Sequence, residues 1–283
     1  MAQYSTPVSF KLADGHGYVL DKSHLEACRL NLQHMLFRNV FQFSIHPGVK
    51  LPASNPIIVD VAAGTCLWIL DVAREIPTAQ LDGAEVDFTK APHASWLPQN
   101  VTLQSWDIFE DPPPSFIGKY DFVHVRLLVL VLSGLDAKPV LRRLLQLLKP
   151  GGTLQWDDLD CMNMHVKKVD PSVLAPALDE ICTLSYSSGR HDWLLSLPEM
   201  LEAEGFQHAQ LHHYSEGPAM TRAFNDLHML TMDEFAGSLM RLGKTEAAEN
   251  LYRLIREVYQ ESVGGAALCI PRIVVVARRG TMH

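Results

Sequence analysis

Residues 57–71 read IIVDVAAGTCLWILD. An apolar run carries an acid at Asp60, a stretch of small residues follows, and an apolar helical pattern begins. A chain that builds a nucleotide cradle does so in this way, at the end of a strand, where small side chains let a ligand approach the backbone. In Asp60-Val61-Ala62-Ala63-Gly64-Thr65-Cys66 only Gly64 is a glycine. Ala62 and Ala63 still allow close approach, and Cys66 stands where a third small residue would ease helix–strand packing. The same residues also read as a core strand, a turn and helix-capping acids, so the neighbouring segments must decide.

Working outward, strands alternate with helices. IIVDV, QLDGAEVD, VTLQSWDI, YDFVHVRLL and TLQWDDLD have strand character. TCLWILDVAREIP and AKPVLRRLLQLLKPGG have helical character, the second ending in a Pro-Gly-Gly turn. That rhythm predicts an α/β fold with a parallel sheet and helices on both faces. Upstream, KSHLEACRLNLQHMLFRNVFQ predicts a helix with Ser23 and Glu26 as a capping box and Leu25, Cys28, Leu32, Met35, Leu36 and Val40 on its buried face. Residues 1–21 read as a loose arm. Beyond residue 160, PSVLAPALDEICTLSY and WLLSLPEMLEAEGF predict helices, AQLHHYSE a strand, residues 220–262 helix, and PRIVVVARR a closing strand.

Ligands of an open parallel sheet bind outside the carboxyl ends of its strands. Those ends carry Asp60, Glu85, Asp107, His124 to Arg126, and Trp156 to Asp158. Acids ending four strands of one sheet line a single crevice. Glu85 follows the loop by about 20 residues, the spacing at which an acid reaches ribose hydroxyls. Asp107, flanked by Trp106 and Ile108, suits an adenine.

The bulk numbers narrow the field. The chain has 283 residues, enough for one large α/β domain with additions or for two small ones, and 47% of them are apolar. Lys and Arg number 24 against 32 Asp and Glu, a net charge of −8 with no basic cluster, which argues against nucleic acid as a partner. LLVLVLSGL is too short to cross a bilayer, and the first residues lack the pattern of a secretory signal. Cys28, Cys66, Cys161, Cys182 and Cys269 are scattered without a CxxC pair, which predicts reduced thiols, no structural zinc and a cytoplasmic protein. His208, His212 and His213 fall on a predicted strand, too far apart along it to suggest a metal site.

VDVAAGTCLWILDVARE, LDGAEVDFTKAP, SWDIF, KYDFVHVRLL and LLKPGGTLQWDD, in that order, resemble the class I S-adenosylmethionine-dependent methyltransferases. More narrowly they resemble fungal secondary-metabolite methyltransferases of the gliotoxin-cluster N-methyltransferase type and the related LaeA-like regulators. The likeness covers residues 22–160 well and the rest weakly. It implies a Rossmann-like sheet with an N-terminal arm and helical cap over residues 1–50, a methyltransferase domain over 51–283, and a helical lid insert at about 217–262 before the last strand. It also implies S-adenosyl-L-methionine as cofactor, held by Asp60, Ala62, Gly64 and Thr65 of the loop, by Glu85 with Val86 at the ribose, by Asp107 with Ile108 at adenine, and by Arg126 beside the methionine end. The family usually has glycine at Ala62 and Cys66.

The acceptor has three candidate surrounds. One is the N-terminal helix, with Gln33 for binding and His34 as a base, a donor or a structural histidine. A second is QWDDLD, where Trp156 offers an apolar wall, Asp157 a catalytic carboxylate and Asp158 a binding one. A third is the helical insert with Met220, Met229, Met232, Met240, Phe224 and Phe235, a surface adaptable to irregular apolar ligands. The expected function is methyl transfer to nitrogen or oxygen of a small molecule, in a monomer or a homodimer. A cyclase or pericyclase on the same scaffold and a LaeA-like regulator are the alternatives.

Overall fold

The computed structural model describes residues 24–132 and 136–281. Arm residues 1–21 and Ser23 of the capping box lie outside them. The central sheet takes its parallel strands from β1 (Ile57–Val61), β2 (Gln80–Glu85), β3 (Val101–Ser105), β4 (Tyr120–Arg126) and β5 (Leu148–Leu159). Two further strands, β7 (Phe206–Tyr214) and β9 (Arg272–Arg279), complete the order β3-β2-β1-β4-β5-β9-β7, with β9 antiparallel to both neighbours. The order reverses between β1 and β4, so the crevice opens at their carboxyl ends.

β1 and β4 are short and largely buried on both faces, which is why IIVDV and YDFVHV read as mainly apolar runs. Val59, Val61, Val123 and Val125 pack with α3 (Lys138–Leu147) and α5 (Leu197–Ala203) on one face. Ile58, Leu81 and Phe122 pack with Trp68, Ile69 and Val72 of α2 (Leu67–Glu75) on the other. LKPGG does not form a free turn. It continues β5, with Gly151 left-handed at φ 80°, and the ladder to β4 skips from Leu148 to Thr153.

A helical layer packs against the sheet at Leu159, Val274 and Val276. It comprises α1 (His24–Phe41), α4 (Pro176–Tyr186), α6 (Thr221–Arg241) and α7 (Thr245–Val263). A second small sheet, β6 (His165–Lys168) paired antiparallel with β8 (Ala266–Cys269), closes under α4, α6 and α7. Four-residue strands carry too little alternation to be read from sequence. No helix among the described residues is long and apolar enough to cross a membrane.

The buried face of α1 differs from the apolar stripe expected. Leu25 and Met35 are 71% and 62% exposed, and Cys28 is exposed too. The buried side chains are Glu26, Arg29, His34, Leu36, Phe37 and Phe41. The helix turns a polar stripe inward because ion pairs satisfy it: Arg29 Nε meets Glu234 Oε1 of α6 at 2.7 Å, and Lys90 Nζ meets Glu26 Oε1 at 3.1 Å.

Arg272 shows how tightly this layer is tied to the sheet. It is 2% exposed, lies 3.4 Å from the centroid of Phe224, and pairs with the equally buried Glu216. Removing one partner of such a pair strands a buried charge. Glu216→Ala should therefore destabilise the protein by about 3 kcal/mol in urea unfolding; a loss below about 1 kcal/mol would show that Arg272 finds another partner.

Candidate cofactor and acceptor site

The strand ends converge on one cavity of about 820 Å³, within the range of roughly 300–1,000 Å³ common for ligand sites. Asp60, Ala62, Gly64, Thr65, Glu85, Val86, Asp107, Ile108 and Arg126 all line it, as do Gln33 and His34 of α1.

The loop after β1 is unusual in its backbone. Ala62, Gly64 and Cys66 are all left-handed, at φ 58°, 55° and 63°. Left-handed backbone costs an L-residue about 1–2 kcal/mol. Here it aims Gly64 N–H at Glu85, whose Oε2 accepts it at 2.9 Å, while Oε1 accepts the Val86 N–H at 2.8 Å. Loop and β2 are thus locked by one carboxylate, which also lines the cavity. Burial pushes the Glu85 carboxyl up, against the pull of these N–H groups and of Lys90. Gly83 helps the approach, since a Cβ there would stand 2.7 Å from a Leu103 methyl and 3.7 Å from Ala63. Cys66 is wholly buried and its thiol is pushed up by burial, Asp60 and Glu85, so it packs rather than reacts.

Further along, Asp107 Oδ1 caps the Phe109 N–H at 2.9 Å, and Trp106 and Ile108 beside it are buried. These features fit a nucleoside: a fixed carboxylate for vicinal hydroxyls, a second acid for an exocyclic amine, and apolar side chains for the base. The fit extends to the loop, whose small side chains leave its backbone open to the ligand.

Behind the loop a buried charge network crosses the sheet. His124 Nδ1 lies 2.7 Å from Asp60 Oδ1, and its Nε2 lies 3.0 Å from Asp157 Oδ2. Trp68 stacks on the imidazole at 3.8 Å between centroids. Arg126 grips the same Asp157 oxygen through Nε at 3.0 Å and Nη2 at 2.7 Å, and Gln155 Nε2 donates to the other oxygen at 2.9 Å. Burial alone would lower His124, but Asp157 and Asp60 outweigh it and raise its pKa. Burial alone would raise Asp157, but Arg126 and His124 outweigh it and hold the carboxyl below its usual range. The four groups therefore form two opposed pairs.

His34 extends the chain of contacts. Its Nδ1 lies 3.3 Å from Arg126 Nη1, and its Nε2 lies 2.9 Å from Asp71 Oδ2. Burial and Arg126 lower its pKa. A guanidinium only donates, so the neutral ring accepts at Nδ1 and donates from Nε2. Both nitrogens are thus used within the protein.

Trp156, Asp157 and Asp158 do not line the cavity. All three are fully buried. Trp156 Nε1 donates to Asp158 Oδ2 at 2.9 Å, and burial pushes the Asp158 carboxyl up to about 7. Of the insert residues, Met232, Phe224 and Phe235 line the cavity, whereas Met220, Met229 and Met240 do not. His212 stacks on His46 at 4.2 Å, and His213 lies 3.5 Å from Asp160.

Sequence reading passed over the His124 and Trp68 stack and the Ser185–His228 pair at 2.8 Å, both on the cavity. The first had a signal, a histidine inside an otherwise apolar strand. The second joins residues from separate helices and had none.

Two outcomes are expected. Cys66→Val should cost about 2–3 kcal/mol by thermal unfolding, because a β-branched side chain at φ 63° is a severe backbone outlier; an unchanged Tm would contradict the left-handed loop. His124→Phe should cost about 3 kcal/mol at pH 6. The folded-state pKa of His124 is raised above its unfolded value of about 6.5. Its contribution is therefore full below the unfolded value and is lost as pH rises through the folded one. Urea titrations should show the deficit of the variant shrinking toward alkaline pH; a deficit growing with pH would reverse the assignment.

No family model matches the chain. It is similar to methyltransferase grgD of a Penicillium species, 28% identical over 256 residues that span 85% of this chain and 88% of that one. It is similar to N-methyltransferase tcpN of Claviceps purpurea (strain 20.1), 34% identical over 140 residues, where the match spans only about half of that relative, 48%. A solved phosphoethanolamine N-methyltransferase 2 of Haemonchus contortus, bound to S-adenosyl-L-methionine, matches at TM-score 0.46 and 15% identity, over 89% of this chain and 53% of that one. In sequence the chain resembles S-adenosylmethionine-dependent methyltransferases, and among them those of fungal secondary metabolism.

Proposed function

We propose that this protein transfers a methyl group from S-adenosylmethionine to nitrogen or oxygen of a small, largely apolar molecule of fungal secondary metabolism. The observation that carries this reading is the single cavity. It joins the strand-end acids of a nucleoside cradle to an apolar chamber roofed by α1 and walled by α4, α6 and α7.

The cofactor supplies an electrophilic methyl on a sulfonium. The protein orients and excludes water, which is where most of the advantage in such a displacement lies. Glu85 and Val86 hold the ribose, Asp107 and Ile108 the adenine, and the Asp60 to Thr65 loop the amino-acid portion. Arg126 and His34 stand beside the methionine end. Asp157 has no surface on the cavity, so its role is to position Arg126 and His124 rather than to touch the acceptor. His34, neutral and doubly hydrogen-bonded, is a donor and a shaping group before it is a base. That balance favours an acceptor atom needing little help in losing a proton, such as a neutral amine or an acidic hydroxyl. In this reading α1 caps the site and α6 with α7 form its lid. The five free thiols suit a cytoplasmic enzyme.

Glu85→Ala tests the cradle. It removes the acceptor of the ribose hydroxyls and the anchor of the Gly64 loop, so affinity for S-adenosylhomocysteine should fall at least tenfold by calorimetry; unchanged affinity would refute the placement of the ribose. Product mass tests the chemistry: one added methyl is expected, and an unchanged mass would favour a cyclase that merely holds the cofactor.

A further inference from the structure

The chamber away from the strand ends has a chemistry of its own. Its walls are mainly apolar, from Met164, Leu184, Met232, Phe235, Leu251 and Ile270, with His191, Thr231 and Asn250 as further polar lining. Two cations that reach it are already matched, Arg272 by Glu216 and Arg29 by Glu234. Arg190 also borders it but is exposed, and a solvated guanidinium discriminates weakly among ligands. Against this background one polar couple stands out. Ser185, on α4, and His228, on α6, both line the cavity, with Ser185 Oγ 2.8 Å from His228 Nε2. Met232 Sδ lies 3.9 Å from the same oxygen. Burial pushes His228 down to about 4, so the ring is neutral near pH 7.

A serine hydroxyl carries one donor and two acceptor sites, more than one imidazole nitrogen can use. Whichever way the shared proton points, the couple keeps a further hydrogen bond to offer a guest. A neutral couple in apolar walls receives a hydroxyl or an uncharged N–H. It penalises a carboxylate or an ammonium, which would be desolvated there without a counter-charge. Binding pockets gain discrimination in this way, from a few polar points in an apolar surround.

We propose that the Ser185–His228 couple is the recognition point for the acceptor, and that it selects an uncharged, mainly apolar molecule bearing a hydroxyl or neutral N–H group. This rests on the chamber being the acceptor side of the methyltransferase site. The couple binds; it is not assigned the proton transfer.

The test uses the full chain saturated with S-adenosylhomocysteine and four probes that share one apolar body: naphthalene, 2-naphthol, 2-naphthylamine and 2-naphthoate. Binding is followed by ligand-observed NMR titration. Naphthol and naphthylamine should bind about three- to tenfold more tightly than naphthalene, the range expected of one hydrogen bond, and naphthoate more weakly than either. His228→Phe and Ser185→Ala should each erase the preference for naphthol over naphthalene while leaving S-adenosylhomocysteine affinity unchanged. Two variants are needed because the phenylalanine can also disturb packing, whereas the alanine only removes an oxygen. Naphthoate binding as tightly as naphthol, a preference surviving in Ser185→Ala, or no probe binding to the cofactor-loaded protein would each overturn the proposal. Cofactor affinity is read in its own titration of the wild type. A failure there overturns the methyltransferase reading instead, and the probe series run without cofactor then decides the chamber alone.

Discussion

A buried imidazole between two carboxylates holds this site together. Asp60 ends β1, His124 and Arg126 end β4, and Asp157 ends β5, and the three strands are hydrogen-bonded neighbours. Each charge would cost several kcal/mol if buried alone. Placed as they are, the two acids and two cations offset one another, and Gln155, Trp68 and Phe37 complete the surround with a hydrogen bond, a stack and a cation–π contact. The outcome is less a gain in stability than a fixed geometry. Asp60 is held at the start of the loop after β1, and Arg126 is held at the cavity wall.

From that network the constraint passes to α1. Arg126 reaches His34, His34 reaches Asp71 of α2, and Arg29 reaches Glu234 of α6. The helix is therefore pinned at several points around the rim of the cavity. Its inward face is polar because it faces a crevice rather than a core, with Glu26, Arg29, Leu30, Gln33 and Phe37 spaced as one helical stripe on the cavity. A helix chosen only for stability would bury Leu25 and Met35 instead.

Much of this was legible beforehand, for physical reasons. Strands buried on both faces announce themselves as apolar runs, so β1, β4 and β9 were plain. Loop and strand-end acids were plain because sheet topology gathers them wherever the strands lie. What escaped were features decided by tertiary partners. The face of α1 was misjudged because apolar periodicity assumes an apolar neighbour. β6 and β8 were too short to show a period. Trp156, Asp157 and Asp158 lie inside the fifth strand, which is buried on both faces there, so their side chains are enclosed by the sheet and its packing layers rather than turned toward the acceptor. Ser185 and His228 are separated by 43 positions and meet only through the packing of α4 on α6.

In the proposed function a glycine-poor loop, bent through three left-handed residues, forms a working cofactor cradle. Calorimetric titration of the wild-type protein with S-adenosylmethionine and with its demethylated product tests it most directly. Saturable one-to-one binding of both is expected, with dissociation constants of about micromolar order. Absence of binding to either would mean that Ala62 and Cys66 have closed the crevice, and the account of the site would fail with it.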